Sequence, residues 1–95
     1  MLFDVPYKQG DAITLKLNSG EEIIARFEEE SNNGTKISKP MSLTATAEGM
    51  GLAPYIFTVP ADASLVIRNT AIICVSKTET QMAKQYLQNT TGLSL

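Results

Sequence analysis

The chain has 95 residues and a formal net charge of −2, with 43% hydrophobic and 19% charged residues. This composition is typical of one small globular domain and excludes a disordered or fibrous protein. There is no histidine, so the commonest general base and metal ligand is missing, and the single cysteine excludes an intrachain disulfide. We therefore expect one domain over residues 1–95 that is not an enzyme and binds no metal or cofactor.

The start of the chain does not resemble a signal peptide, because Asp4 and Pro6 interrupt the apolar run that such a peptide needs. No stretch approaches the roughly 18 consecutive apolar residues of a membrane span. A single cysteine also fits a reducing compartment. These features predict a cytoplasmic protein with no membrane partner.

The first half of the chain alternates apolar and polar residues, as strands of a half-buried sheet do. This alternation predicts one strand over residues 11–18 and a second over residues 21–29. Gly20 lies between them and can adopt a positive φ, so the two strands are expected to form a hairpin.

A second turn and a third strand are predicted next. Residues 31–34 contain Asn33 and Gly34, a pair that accommodates positive φ at low cost. The third strand is expected over residues 35–45, with an edge position or a bulge at Pro40, which cannot donate a ladder hydrogen bond. Residues 48–54 are rich in glycine and proline and predict a loop.

The second half predicts an interrupted strand followed by a short apolar one. Residues 55–59 and 64–68 have strand-like composition and are interpreted as one strand line, broken between them. Residues 71–75 are apolar on both faces, so something must cover them. Cys74 within this strand is expected to be a small buried hydrophobic residue.

A helix is predicted over about residues 79–90. Thr78 is a candidate N-cap, and Gln81 three residues later completes a capping-box pattern. Apolar residues recur at helical spacing and should form the packing face: Met82, Ala83, Tyr86 and Leu87.

Residues 11–76 resemble the Sm-like (Sm/LSm) family. Residues 64–76, Ser-Leu-Val-Ile-Arg-Asn-Thr-Ala-Ile-Ile-Cys-Val-Ser, are similar to its second motif, an Ile-Arg-Gly followed by a short apolar strand. Residues 13–27 have the layout of its first motif. The resemblance implies an all-β fold, a small, strongly bent five-stranded Sm-like (SH3-like) barrel with a C-terminal helix. The chain is also similar to small Sm-like proteins of bacterial viruses, which would place it in the host cytoplasm.

The chain departs from the family pattern at several positions. Asn69 stands where the family has glycine after the motif arginine, although asparagine tolerates a left-handed turn better than other non-glycine residues. The end of the first motif, Asp-x-x-Met-Asn, is not matched, because Ser31, Gly34 and Thr35 occupy those places. The likeness is therefore stronger for the fold than for the binding site.

The resemblance implies single-stranded RNA bound at the pore of a ring, contacted by Arg68, Asn69, Asn33 and Thr35. Arginine suits this role because its planar guanidinium donates hydrogen bonds and stacks on bases. Alternatively, Arg68 forms an ion pair across a subunit boundary, with Glu28 or Glu30, and Asn33 belongs only to a tight turn. The acidic run at residues 28–30 is expected to be a solvated strand end that repels phosphate.

The resemblance also implies a homo-oligomeric ring of five to seven copies. In Sm-like proteins strand 4 of one subunit pairs with strand 5 of the next. Here residues 55–59 and 64–68 would meet residues 71–75 of the neighbour. The expected subunit-interface residues are Phe57, Ile72, Ile73 and Cys74. The alternative function is a structural or adaptor ring that binds protein partners without nucleic acid.

Overall fold

A computed structural model describes residues 6–91. Asp4, which interrupts the apolar run that a signal peptide would need, lies outside the described residues. Within that range the chain is mostly β-structure with one helix. The elements are β1 (Ala12–Leu17), β2 (Glu22–Glu30), β3 (Gly34–Thr46), β4 (Gly49–Pro54), β5 (Ser64–Arg68), a 3₁₀ turn (Asn69–Ala71), β6 (Ile72–Lys77) and α1 (Thr80–Thr91). The predicted strands over residues 11–18, 21–29 and 64–68 are confirmed. Gly20 has φ +109°, as the predicted hairpin requires.

The strands form an antiparallel sheet in the order β4-β3-β2-β1-β6. The first part of β3, residues 34–38, pairs with β5 on the side away from β2. The second part, residues 41–46, pairs with β4. The long strand β3 therefore pairs along one of its edges first with β5 and then with β4.

The change of neighbour along β3 coincides with a β-bulge. Two residues of β3, Lys39 and Pro40, stand opposite the single residue Ala25 of β2. Lys39 adopts φ +51°, a left-handed conformation that is uncommon for residues other than glycine. The predicted bulge at Pro40 is confirmed. The alternative of an edge position is wrong, because β3 has partners on both sides.

The predicted loop over residues 48–54 is wrong, because this segment forms β4. It pairs with β3 in register from Thr46↔Gly49 to Met41↔Pro54. Gly49 begins β4 with φ +121°, and the Thr46 hydroxyl donates a hydrogen bond to its carbonyl oxygen at 2.7 Å. Glycine and proline lowered the local strand propensity, but the cross-strand ladder determines the structure here.

The predicted strand over residues 55–59 is also wrong. The segment is irregular, and the Phe57 side chain is 81% exposed. Pro54 and Pro60 flank it, and neither has an N–H to donate to a ladder. Beyond it, the Ala63 N–H donates to the carbonyl of Pro60 at 3.0 Å, which closes a turn before β5.

The hydrophobic core lies on one face of the sheet. The alternating apolar residues of β1 and β2 supply most of it, together with one residue of β3: Ile13, Leu15, Leu17, Ile23, Ala25, Phe27 and Ile37. Partly buried residues from other elements close around this cluster: Tyr7, Tyr55, Leu65, Ile67, Ile72 and Val75. The rings of Tyr7 and Phe27 meet edge to face with their centroids 4.7 Å apart.

Helix α1 packs on the opposite face of the sheet. Ile24, which strand alternation places on that face, is 2% exposed, and Tyr86 of α1 is 1% exposed. Met82 and Ala83 are half-buried, as their spacing predicts, whereas Leu87 is 47% exposed. The predicted helical face is therefore correct in its centre and wrong at Leu87.

The helix is capped by Glu79 and not by the predicted Thr78. The two carboxylate oxygens of Glu79 accept hydrogen bonds from the N–H groups of Gln81 and Met82, at 3.0 and 2.8 Å. The Thr78 hydroxyl instead lies 2.9 Å from the hydroxyl of Thr14 in β1. The capping residue is therefore one position later than predicted, because Thr78 is engaged by the sheet.

Candidate nucleic-acid interface

The 3₁₀ turn between β5 and β6 is joined to the turn between β2 and β3. The backbone N–H of Asn69 donates to the carbonyl of Asn33 at 3.0 Å, and its side-chain amide donates to the carbonyl of Asn32 at 2.9 Å. Asn69 does not have a positive φ, so the left-handed turn expected at this position is not formed. Its amide instead fixes the neighbouring turn.

The same 3₁₀ turn is also joined to the hairpin turn between β1 and β2. Asn18 donates from its backbone N–H to the carbonyl of Ala71 at 2.9 Å and from its side chain to the carbonyl of Thr70 at 2.7 Å. Turns at both ends of β2 therefore reach one three-residue segment. A straight strand of nine residues would separate its ends by about 30 Å. We conclude that β2 curves strongly, consistent with the register shifts along its pairing with β3.

Gly34 allows the β2–β3 turn to lie against β5. A Cβ atom at this position would lie 2.3 Å from the carbonyl oxygen of Ile67. Gly34 does not have a positive φ, so the expectation of a left-handed Asn-Gly turn is wrong. Glycine is needed here for close backbone approach, which no local sequence pattern reveals.

Three of the four predicted RNA-contacting residues lie together on the surface. Arg68 ends β5 opposite Gly34, and Asn69 follows it and bonds to the turn that carries Asn33. All three side chains are exposed. Within residues 6–91 Arg68 forms no ion pair. We call Asn33, Arg68 and Asn69 the amide–guanidinium cluster.

Thr35, the fourth predicted residue, is oriented away from this surface. It is 1% exposed, and its hydroxyl donates a hydrogen bond to Glu30 at 3.0 Å. A nucleic-acid base could not reach the side chain without moving it. Thr35 therefore stabilises the end of the β2–β3 hairpin, and we leave it out of the candidate interface.

The acidic run at residues 28–30 is only partly a solvated strand end. Glu28 is half-buried and accepts hydrogen bonds from Ser38 at 2.5 Å and Gln9 at 3.2 Å. The hydrogen bond from Ser38 is the main reason that the pKa of Glu28 is lowered. Glu30 is also half-buried, and only Glu29 of the three is exposed. The carboxylates beside the β2–β3 turn disfavour phosphate there, so the cluster is better suited to contact bases than the nucleic-acid backbone.

The predicted subunit-interface residues fall in two separate places. Ile72 is half-buried against the core of its own chain, whereas Ile73 is 62% exposed and Cys74 is exposed. The prediction that Cys74 is buried is wrong for the single chain. Ile73 is the extra residue of a bulge, because Lys16 pairs with Cys74 and Leu17 with Ile72. Phe57 lies on no strand.

Two residues of the interface region were not predicted: Asn18 and Asn32. Asn18 belongs to a polar turn, Asn-Ser-Gly, whose sequence indicates a hairpin but not a long-range amide hydrogen bond.

Within residues 6–91 no helix is long and apolar enough to cross a membrane, and no group of three or more acidic or cysteine side chains could hold a metal ion. Neither the protein-family models nor the curated proteins searched match this sequence.

Proposed function

We propose that this chain is a non-enzymatic Sm-like protein that assembles into a ring and binds single-stranded RNA through Asn33, Arg68 and Asn69. The observation that carries the proposal is the amide–guanidinium cluster. Asn33 comes from the β2–β3 turn, whereas Arg68 and the adjacent Asn69 come from the end of β5 and the 3₁₀ turn. All three side chains are exposed, and hydrogen bonds from Asn69 to the carbonyls of Asn32 and Asn33 join the two segments. Amides and a guanidinium on a rigid support can read the edges and faces of unpaired bases.

The strand arrangement supports the Sm-like assignment. Five of the strands, β1, β2, β3, β5 and β6, correspond in order to the five strands that the resemblance implies, and the last two are joined by only three residues. The curvature of β2 agrees with a strongly bent barrel. In this assignment β4 and the irregular residues 55–63 are an addition between the third and fourth strands.

The exposed edges support assembly into a ring. Among the described strands, β5 pairs only with β3, and β6 pairs only with β1, so each has one unpaired edge. Both carry exposed apolar residues, with Val66 of β5 54% exposed and Ile73 of β6 62% exposed. An exposed apolar edge favours pairing with another chain. Pairing of β5 with β6 of the next copy is head-to-tail, so it either closes by rotation into a ring or grows into a filament.

RNA binding is tested by filter binding with oligo-U, oligo-A and single-stranded DNA at several salt concentrations. We expect salt-dependent RNA binding by the wild type and about a tenfold loss in Arg68→Ala, comparable to the loss of a stacking or bidentate base contact. Lys84→Ala, which removes one exposed cation of α1, is the matched control and should bind as the wild type does. Absence of salt-dependent binding up to tens of micromolar would contradict RNA binding.

Ring assembly is tested by light scattering or native mass spectrometry. We expect several copies per particle in the wild type and a lower mass for Ile73→Lys, which places a charge on the edge of β6. Lys16→Gln, which alters an exposed residue of the neighbouring strand β1, should keep the wild-type mass. A wild-type monomer at micromolar concentration would refute the ring.

A second candidate function is an adaptor ring that binds proteins, and the β3–β4 hairpin favours it. Its end is exposed over residues 44–50, and Met50 is 53% exposed there. An exposed methionine on a projecting hairpin is a suitable protein contact. A pull-down from the source cell distinguishes the candidates, because recovery of RNA without protein would contradict the adaptor.

A further inference from the structure

A groove of about 560 Å³ lies on the surface, between the β3 bulge, residues 54–62 and the end of α1. Its walls are mainly apolar and include Met41, Ile56, Phe57 and Val59. The amide–guanidinium cluster contributes none of the residues that line it. The groove is thus a separate surface from the candidate RNA interface.

The exposed apolar side chains at this groove are unusual for a surface in contact only with water. Phe57 is 81% exposed and Val59 is 37% exposed. The Phe57 side chain lines the groove and is also largely exposed to solvent. It can therefore both form a wall of the groove and contact another molecule. Grouped exposed apolar residues mark interaction sites.

Two opposite charges also line the groove. Lys39 belongs to the β3 bulge and Asp62 to the irregular segment before β5. They form no ion pair with each other or with any other residue in the range 6–91. Each charge is therefore available to a partner of opposite sign, and the two are carried by the same surface.

We propose that this surface binds a second copy of the same chain around a two-fold axis. Phe57 of each copy enters the groove of the other, and Lys39 of each copy pairs with Asp62 of the other. A two-fold interface requires a surface complementary to itself. An apolar centre with one unpaired cation and one unpaired anion meets that requirement, whereas a partner of a single charge would leave Lys39 or Asp62 unsatisfied.

This contact differs from the β5–β6 contact of the proposed ring. The ring contact is head-to-tail and uses sheet edges, whereas the groove contact is two-fold and uses the bulge, Phe57 and Asp62. The groove contact therefore doubles the number of copies, whether the underlying particle is a ring or a single chain. It does not rest on the proposed function.

The first test compares particle masses by sedimentation velocity over a series of protein concentrations. Phe57→Ser should have half the wild-type mass at concentrations where the wild type is fully associated. The exposure of Phe57 means that the variant should fold normally. Met50→Ser, which removes an exposed apolar residue from the end of the β3–β4 hairpin, outside the groove and the β5–β6 contact, is the matched control and should keep the wild-type mass. Equal masses for the wild type and Phe57→Ser would overturn the proposal.

The second test exchanges the charges. Lys39→Asp and Asp62→Lys each place like charges opposite one another at both symmetry-related contacts, and each should weaken self-association about tenfold. An equimolar mixture of the two variants restores opposite charges at both contacts and should associate as the wild type does. Aspartate tolerates the left-handed backbone of position 39, so folding should be preserved.

Association of the mixed Lys39→Asp and Asp62→Lys variants tests whether the surface pairs with itself. Failure of the mixed variants to associate, with circular dichroism spectra matching the wild type, would overturn the two-fold arrangement. The ring is judged separately. If it is correct, Ile73→Lys reduces the particle to a pair of chains; if it is wrong, the wild type is already a pair and Ile73→Lys leaves its mass unchanged.

Discussion

The hydroxyl of Tyr86 donates a hydrogen bond to the backbone carbonyl of Lys39 at 2.7 Å, which joins α1 to the bulge in β3. The same hydroxyl lies 3.4 Å from the carbonyl of Ser38. Lys39 is the residue with φ +51°, so the helix fixes the one non-glycine residue of the described chain that adopts a left-handed conformation. The tyrosine thereby stabilises the point at which β3 exchanges its neighbours β5 and β4.

Replacing Tyr86 with phenylalanine should destabilise the fold. The substitution removes the donor and leaves the part-buried carbonyl oxygen of Lys39 without this partner, which costs about 1–2 kcal/mol of unfolding free energy. Tyr55→Phe is the matched control, since Tyr55 is half-buried and its hydroxyl has no hydrogen-bond partner within residues 6–91. Urea unfolding of both variants measures the effect. Equal stabilities for Tyr86→Phe and the wild type would contradict the role of this hydrogen bond.

The stabilisation from Tyr86 should disappear at high pH. Burial raises the pKa of Tyr86 well above the ordinary value of a tyrosine. The unfolded chain releases the proton near pH 10 and the folded chain only at higher pH. The tyrosine therefore stabilises the folded state fully below pH 10 and loses this effect above it, by at most about 1.4 kcal/mol per pH unit.

Urea unfolding of the wild type and Tyr86→Phe at pH 8, 10 and 11 tests whether the stabilisation by Tyr86 decreases as the pH rises. The difference in unfolding free energy between the two proteins should stay constant up to about pH 9 and shrink above pH 10. All other ionisable groups are common to the two proteins, so their contributions cancel in the difference. A difference that stays constant to pH 11 would show that Tyr86 titrates normally.

Substitution of Gly34 by alanine should displace the β2–β3 turn from β5. The added Cβ would lie 2.3 Å from the backbone oxygen of Ile67, and neither backbone can move without breaking ladder hydrogen bonds. We expect a loss of about 2 kcal/mol or more in unfolding free energy. Gly51→Ala is the control, since a Cβ there would meet Thr46 at an ordinary 3.6 Å. Similar stabilities for the two variants would contradict the close approach.

Glu79 and Gln81 provide a direct comparison of the observed and the predicted helix cap. Glu79→Ala removes the acceptor for two N–H groups of the first turn and should cost about 1 kcal/mol. Gln81→Ala should change the stability by less than about 0.5 kcal/mol, because the capping box that would use its side chain is not formed. Thermal unfolding followed by circular dichroism separates the two. A larger loss of stability in Gln81→Ala than in Glu79→Ala would instead support the capping box predicted from the sequence.

Most of the sheet could be predicted from the sequence alone. Strands β1 and β2 follow from the alternation of apolar residues, because a strand exposes successive side chains to opposite faces wherever it lies. Strand β5 and helix α1 follow from equally local patterns, and Pro40 predicts the bulge because proline lacks an N–H. The cluster residues Asn33, Arg68 and Asn69 were indicated by the family resemblance, and the structure places them together.

Only the tertiary structure decided the features that depend on a partner distant in the chain. Strand β4 exists because β3 pairs with it, although glycine and proline argue locally for a loop. Thr78 does not cap the helix, because Thr14 on β1 engages its hydroxyl. Thr35 is buried and Gly34 is required through contacts with Glu30 and Ile67. The sequence determines local alternation, whereas the pairing of distant strands determines which side chains are buried and which remain on the surface.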